Sequence, residues 1–119
     1  MAKQILIVDD SRFMRKILRS ILENAGYEIV GEAGSGREAL ELYPLLIPDL
    51  VTLNITMPDM DGSTALTALC STYPTAKVIM ISAMGQPGII LDSITAGAKD
   101  FVVKPFTTEK VISTVMKVL

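Results

Sequence analysis

Short runs rich in Ile and Val alternate along the chain with longer stretches in which apolar residues recur every three or four positions. The runs are Gln4 to Val8, Glu28 to Ala33, Leu50 to Leu53, Lys77 to Ile81 and Asp100 to Val103. They are brief and bounded by Gly, Pro, Asn, Asp or Ser, which predicts strands. Three are nearly all apolar, the pattern of strands covered on both faces.

Between the runs, Ser11 can cap a helix whose apolar positions Phe13, Met14, Ile17, Leu18, Ile21 and Leu22 form one stripe, with Gly26 just past its end. A second helix is expected from about Gly36 to Tyr43 behind Ser35, with Pro44 stopping or kinking it. A third follows Asp61-Gly62 and ends before Tyr73-Pro74, a fourth runs from about Pro87 to Ala96 and stops at Gly97, and the last starts after Thr107 and reaches Leu119. Strand–helix alternation of this kind implies right-handed crossovers and a parallel sheet with helices on both faces. No linker, repeat or low-complexity tract interrupts it, so residues 1–119 read as one domain.

Composition narrows the chemistry. The chain has no histidine and a single cysteine, Cys70. Internal disulfides, Cys/His zinc sites and histidine-based acid–base catalysis are excluded, and any metal must be held by oxygen. The formal charge of -2, with no compensating Lys/Arg cluster, argues against nucleic acid as a partner. No apolar stretch is long enough for a signal peptide or a membrane span, and a cytoplasmic location is expected.

In open α/β sheets, ligands bind beyond the carboxyl ends of the strands. Asp9 and Asp10 follow the first strand, Asn54 the third, Ser82 the fourth and Lys104 the fifth. Adjacent carboxylates repel one another unless a positive charge joins them. Mg²⁺ suits the pair, since it takes one or two carboxylates together with waters and phosphate oxygens; a backbone carbonyl beyond the third strand can add a further ligand. The plainer alternative is a pair that caps the first helix and faces water. Ser82 can donate to a phosphoryl oxygen and Lys104 can neutralise another. Lys104 precedes Pro105, where a cis peptide is feasible.

Ile5-Leu6-Ile7-Val8-Asp9-Asp10-Ser11, Met57-Pro58-Asp59-Met60-Asp61-Gly62, Ile81-Ser82-Ala83, Ala96-Gly97-Ala98-Lys99-Asp100-Phe101 and Lys104-Pro105-Phe106, in this order and spacing, are highly specific. The chain resembles, over its whole length, the receiver domains of two-component response regulators, most closely the single-domain chemotaxis type. The resemblance implies a flavodoxin-like (βα)5 fold with strand order 2-1-3-4-5. It also implies an acidic Mg²⁺ pocket of Asp9, Asp10, residue 54 and the Thr56 main-chain carbonyl. Ser82 and Lys104 would contact the phosphoryl group, Ser82 and Phe101 would form the switch, and Thr56 and Met84 would tune access of the hydrolytic water.

Further implications concern partners. A histidine kinase or phosphotransfer protein would meet the first helix and nearby loops. A downstream target such as the flagellar switch would meet the face of the fourth helix, fifth strand and fifth helix, including Ile89, Lys99 and Lys110. A monomer is expected. With nothing after Leu119, a transcriptional output is disfavoured. Leu45-Leu46-Ile47 reads either as an exposed apolar patch or as packing under the next strand.

Asn54 departs from the pattern, because the family's phosphoacceptor there is aspartate. A carboxamide delocalises its nitrogen lone pair and is a very poor nucleophile, so phosphotransfer should fail while the fold survives. With one negative charge fewer, the pocket should also hold Mg²⁺ less tightly. An aspartate at 54 would let the domain catalyse its own phosphotransfer and autodephosphorylation; no separate substrate is expected. Asn54 fits either an engineered or recently altered acceptor or a natural pseudo-receiver working by partner binding alone, and the intact surroundings favour the first.

Two enzyme-like or cofactor classes fit worse. A haloacid-dehalogenase-type phosphohydrolase needs a second Asp two positions after its nucleophile, where this chain has Ser11, and room for a cap domain. A flavodoxin-type FMN site needs a loop of backbone donors after the first strand, where Asp9-Asp10 would repel the phosphate.

Overall fold

The computed structural model describes residues 1–119. Its elements run β1 (Gln4–Val8), α1 (Arg12–Asn24), β2 (Glu28–Ala33), α2 (Gly36–Leu46), β3 (Leu50–Leu53), α3 (Gly62–Thr72), β4 (Val78–Ser82), α4 (Pro87–Ala96), β5 (Asp100–Val103) and α5 (Thr108–Val118). All strand pairs are parallel, and the sheet order is β2-β1-β3-β4-β5. That is the flavodoxin-like order expected from the sequence.

Alternation along each strand feeds two separate cores. Leu6, Val8, Val51, Leu53, Met80 and Phe101 pack towards α2, α3 and α4. Ile5, Ile7, Leu50, Ile79, Ile81 and Val102 pack on the other face against Leu18 and Leu22 of α1 and Val111 and Val115 of α5. β3 is fully buried along its length, which explains its unbroken apolar character. Reversal of strand order occurs between β1 and β3, so the carboxyl ends of these two strands flank the crevice where such sheets carry their sites.

Local signals set most helix ends. Ser11, Ser35, Asp61 and Thr107 each cap a helix by accepting a backbone N–H three residues on. α4 instead begins with Pro87, whose missing N–H is no loss in a first turn, and ends at Gly97 with φ 122°.

Two boundaries differ from expectation. α2 continues through Pro44 to Leu46 and ends at Ile47, whose φ of 43° lies in the left-handed region. Pro44 sits in the last turn, where only one ladder bond is forfeited, and Leu46 beyond it packs against the core. The Leu45-Leu46-Ile47 run therefore divides: Leu46 is half-buried, while Leu45 and Ile47 stand exposed. β4 starts at Val78 rather than Lys77 and includes Ser82, which pairs with Val103 of β5. Ser82 is thus the last strand residue, held by Lys104 N–H donating to its carbonyl at 2.9 Å.

Candidate functional site

The carboxyl ends of β1, β3, β4 and β5 bring Asp9, Asp10, Asn54, Ser82 and Lys104 to one rim of the sheet. Asp9 is almost wholly buried. One of its carboxylate oxygens accepts the Ser11 N–H at 2.9 Å, and the other accepts the Lys104 ammonium at 2.7 Å. The lysine reaches Asp9 from beyond β5 because the parallel strands β1 and β5 end at the same rim of the sheet, and its peptide bond to Pro105 is cis. The Asp9–Lys104 pair is largely removed from water, where an ion pair must keep both partners.

Asp10 is exposed and makes a different contact. Asn54, 8% exposed, donates its amide Nδ2 to Asp10 Oδ1 at 3.3 Å and to the Thr56 carbonyl at 3.0 Å. The Asn54 backbone is fixed from both sides: its N–H donates to the Val8 carbonyl at 3.0 Å, and Gly62 packs beneath it. A Cβ at Gly62 would lie 1.8 Å from the Asn54 carbonyl oxygen, so only glycine lets α3 begin this close to the end of β3.

Ser82 is buried, and its Oγ accepts the Met84 N–H at 3.2 Å. Over the rim, the Thr56 hydroxyl donates to the Met84 sulfur at 3.2 Å, linking the loop after β3 to the loop after β4. Beside this link lies an open cleft of about 360 Å³ lined by Ile55, Met57, Asp61, Ser63, Ile89 and Asp92 together with Thr56 and Met84. Phe101 is 7% exposed and belongs to the core on the α2, α3 and α4 side, so its ring faces inward.

A metal at this rim would find the oxygens of Asp9, Asp10 and the Thr56 carbonyl, and that of the Asn54 amide once the amide turned, since its Nδ2 faces Asp10 and Thr56 here. That set suits a hard divalent cation. Two carboxylates are all it contains, and nowhere in the molecule are three or more Asp, Glu, Cys or His side chains placed to hold a metal ion together. The donors fit Mg²⁺, but Lys104 and the Asn54 Nδ2 already occupy several of them.

One contributor is not visible from motifs. Arg15 Nη1 donates to the Asp9 carbonyl at 2.6 Å, and its Nε donates to Glu32 on β2 at 3.0 Å. Arg19 holds the second Glu32 oxygen at 2.7 Å. Burial would raise the Glu32 pKa, yet the guanidinium hydrogen bonds of Arg19 and Arg15 outweigh it and hold the carboxyl below its ordinary value. The available signal was Arg15 lying one turn inside α1 behind Ser11; the acceptor on β2 is set only by tertiary structure.

Residues 5–116 match the response regulator receiver domain. The chain belongs to that family. It is 51% identical over 118 residues to the chemotaxis protein CheY of Thermotoga maritima, covering 99% of this chain and 98% of the relative. Identity to the CheY of Bacillus subtilis is 50% over 119 residues, covering 100% and 99%. Among solved receiver structures, a chain of the CheX-CheY-BeF3-Mg²⁺ complex from Borrelia burgdorferi superposes with a TM-score of 0.96 at 43% identity, covering 98% of this chain and 88% of that one. The receiver assignment agrees with the fold, a parallel five-stranded sheet in the order β2-β1-β3-β4-β5. No helix of this receiver is long and apolar enough to cross a membrane.

Proposed function

We propose that this chain is a chemotaxis-type receiver that cannot accept a phosphoryl group, because Asn54 fills the acceptor position. The observation that carries the reading is the Asn54 side chain in the notch, held between Asp10 and the Thr56 carbonyl. With aspartate there, a carboxylate oxygen would attack phosphorus, the P–N bond of a phosphohistidine would break, and its electron pair would leave with the imidazole ring. The Asn54 amide has no such oxygen anion and its nitrogen lone pair is delocalised.

The surrounding residues keep the corresponding roles. Ser82 would donate to one phosphoryl oxygen and Lys104 would neutralise another, with the open cleft beside Thr56 and Met84 as the side of approach. Asp9, Asp10, the Asn54 amide oxygen and the Thr56 carbonyl would hold Mg²⁺, with the amide binding it less tightly than a carboxylate. When bound, the cation offsets negative charge on the phosphoryl oxygens.

Partners follow from the relatives named as chemotaxis proteins and from the structural neighbour solved with CheX. A histidine kinase or phosphotransfer protein would approach α1 and the rim, and a target such as the flagellar switch would take the α4–β5–α5 face. Lys99 and Lys110 are exposed on that face, whereas Ile89 turns partly inward against the core. A cytoplasmic monomer suits such a role. One observation favours the second reading, a natural pseudo-receiver acting through protein contacts alone: the Asn54 amide satisfies the pocket without outside help.

The test is intact-mass measurement of the chain and of Asn54→Asp after incubation with acetyl phosphate and MgCl₂. A phosphoryl increment on Asn54→Asp alone is the expected result. Labelling of the unaltered chain would overturn the proposal, and labelling of neither form would leave the pseudo-receiver in its place.

A further inference from the structure

Resting on that reading of the site, we infer that Asn54 does more than fail as an acceptor: its amide nitrogen acts as an internal substitute for the cation and keeps the acidic notch assembled with no metal bound. Asp10 and the Thr56 carbonyl are two of the oxygens that a divalent cation would draw together. In this chain they are tied to each other by the two N–H groups of a single amide, at 3.3 and 3.0 Å. The Asn54 amide is the one side-chain or backbone donor that Asp10's carboxylate meets. Asp9 is closed separately, by Lys104 on one oxygen and the Ser11 N–H on the other.

The orientation of the amide carries the argument. If Oδ1 faced inward, it would stand against a carboxylate and a carbonyl, three acceptors with no proton between them. Without a cation, nitrogen must face in; with one, oxygen must. Binding of Mg²⁺ therefore requires a half-turn of the amide about its terminal torsion and the loss of both hydrogen bonds. Asn54 is 8% exposed, so donors turned away from these partners have little water to replace them. An aspartate at the same position behaves in the opposite way. It would add a third carboxylate beside Asp9 and Asp10 with only Lys104 to balance them, and such a notch holds together best when a cation is present.

Asparagine thus exchanges a metal-dependent pocket for a metal-independent one. In this state the loops after β1 and β3 are joined permanently, and Mg²⁺ concentration no longer influences the rim that partners meet.

Thermal unfolding of the chain, Asn54→Asp and Asn54→Ala, each in EDTA and in millimolar MgCl₂, tests this directly. The chain should unfold at the same temperature in both media, and the side-chain ¹H–¹⁵N pair of Asn54 should stay in place on addition of MgCl₂. Asn54→Asp should unfold several degrees lower in EDTA and rise with MgCl₂. Asn54→Ala, which lacks the amide, should fall below the chain in EDTA and regain part of the loss with MgCl₂. A Mg²⁺-induced rise in the chain equal to that of Asn54→Asp, an Asn54→Ala form as stable as the chain in EDTA, or a Mg²⁺-shifted amide pair would each overturn the inference. None of these readouts involves phosphotransfer, so an ordinary Mg²⁺ response with an unlabelled chain removes this inference alone. The expected Mg²⁺ behaviour with no labelling of Asn54→Asp removes only the functional reading.

Discussion

Individual residues at the strand ends carry a large share of the electrostatic risk. Asp9 is buried with Lys104 as its charge partner, and an ion pair in that setting is valuable chiefly because breaking it strands a charge. Lys104→Met should lower stability by about 3–5 kcal/mol in urea unfolding, and adding Asp9→Asn should recover a substantial part of that loss. The opposite case lies in β3, where Thr52 is 1% exposed and its Oγ1 has no hydrogen-bond partner. Thr52→Val removes the orphan hydroxyl at nearly constant volume and should raise the unfolding free energy by about 1 kcal/mol. A loss on that substitution would mean the hydroxyl has a partner after all. Asp9, Asp10, Asn54, Ser82 and Lys104 were legible in the sequence because each stands at or just past the end of an apolar run. Arg15 was not, because its importance depends on where β2 places Glu32.

At the scale of elements, caps and periodicity agree with the structure almost throughout, and Pro44 is the instructive exception. Proline removes one donor and crowds the carbonyl four residues earlier, Leu40 here, which normally ends a helix. α2 tolerates it because the next two residues still gain by packing Leu46 on the core before Ile47 turns the chain into the left-handed region. Pro44 itself is exposed, so replacing it disturbs no packing. Pro44→Ala should restore the missing ladder bond and stabilise the protein by about 1 kcal/mol or more, within the ~3 kcal/mol that proline costs in a helix interior. A shift of the urea midpoint to higher concentration at unchanged slope is the outcome to look for. β4 shows the same limit of local pattern: the apolar run marks the strand, but pairing of Val78 with Val51 of β3 sets its start and pairing of Ser82 with Val103 of β5 sets its end.

Across the whole molecule, two carboxylates tie layers together and set its response to acid. Glu32 joins β2 to Arg15 and Arg19 of α1, and Asp100 joins β5 to Lys117 of α5. For Asp100, burial pushes the pKa up, but the Lys117 ammonium and the Phe101 N–H more than offset it and hold the carboxyl low. Both groups have folded pKa values below their ordinary values of 4.5 and 3.8. Their contribution is therefore fully present above those values and is lost as pH falls through the lower, folded ones. Equilibrium urea unfolding from pH 7 down to pH 3 should show stability declining on the acid side. Glu32→Gln should be less stable at neutral pH and show a flatter acid decline; an unchanged pH profile would dismiss the role given to the Arg15–Glu32–Arg19 network. Glu32 keeps appreciable solvent contact, so water moderates the size of the effect.

What the sequence determined by itself is the set of elements, the face each buries and the identity of the polar groups at the strand ends. Those follow from short-range rules: period two or 3.6 in apolar positions, a capping side chain, and a polar residue where an apolar run stops. It also determined that position 54 lacks a nucleophile, since that is a property of the amide and not of its surroundings. Only the tertiary structure decided which groups pair. Lys104 closes on Asp9, from which it is 95 residues distant in the chain, because β5 and β1 end at the same rim, and the Asn54 amide spans Asp10 and Thr56 because β1 and β3 are adjacent. Pairing of this kind is a matter of distances between strands, which local pattern cannot encode.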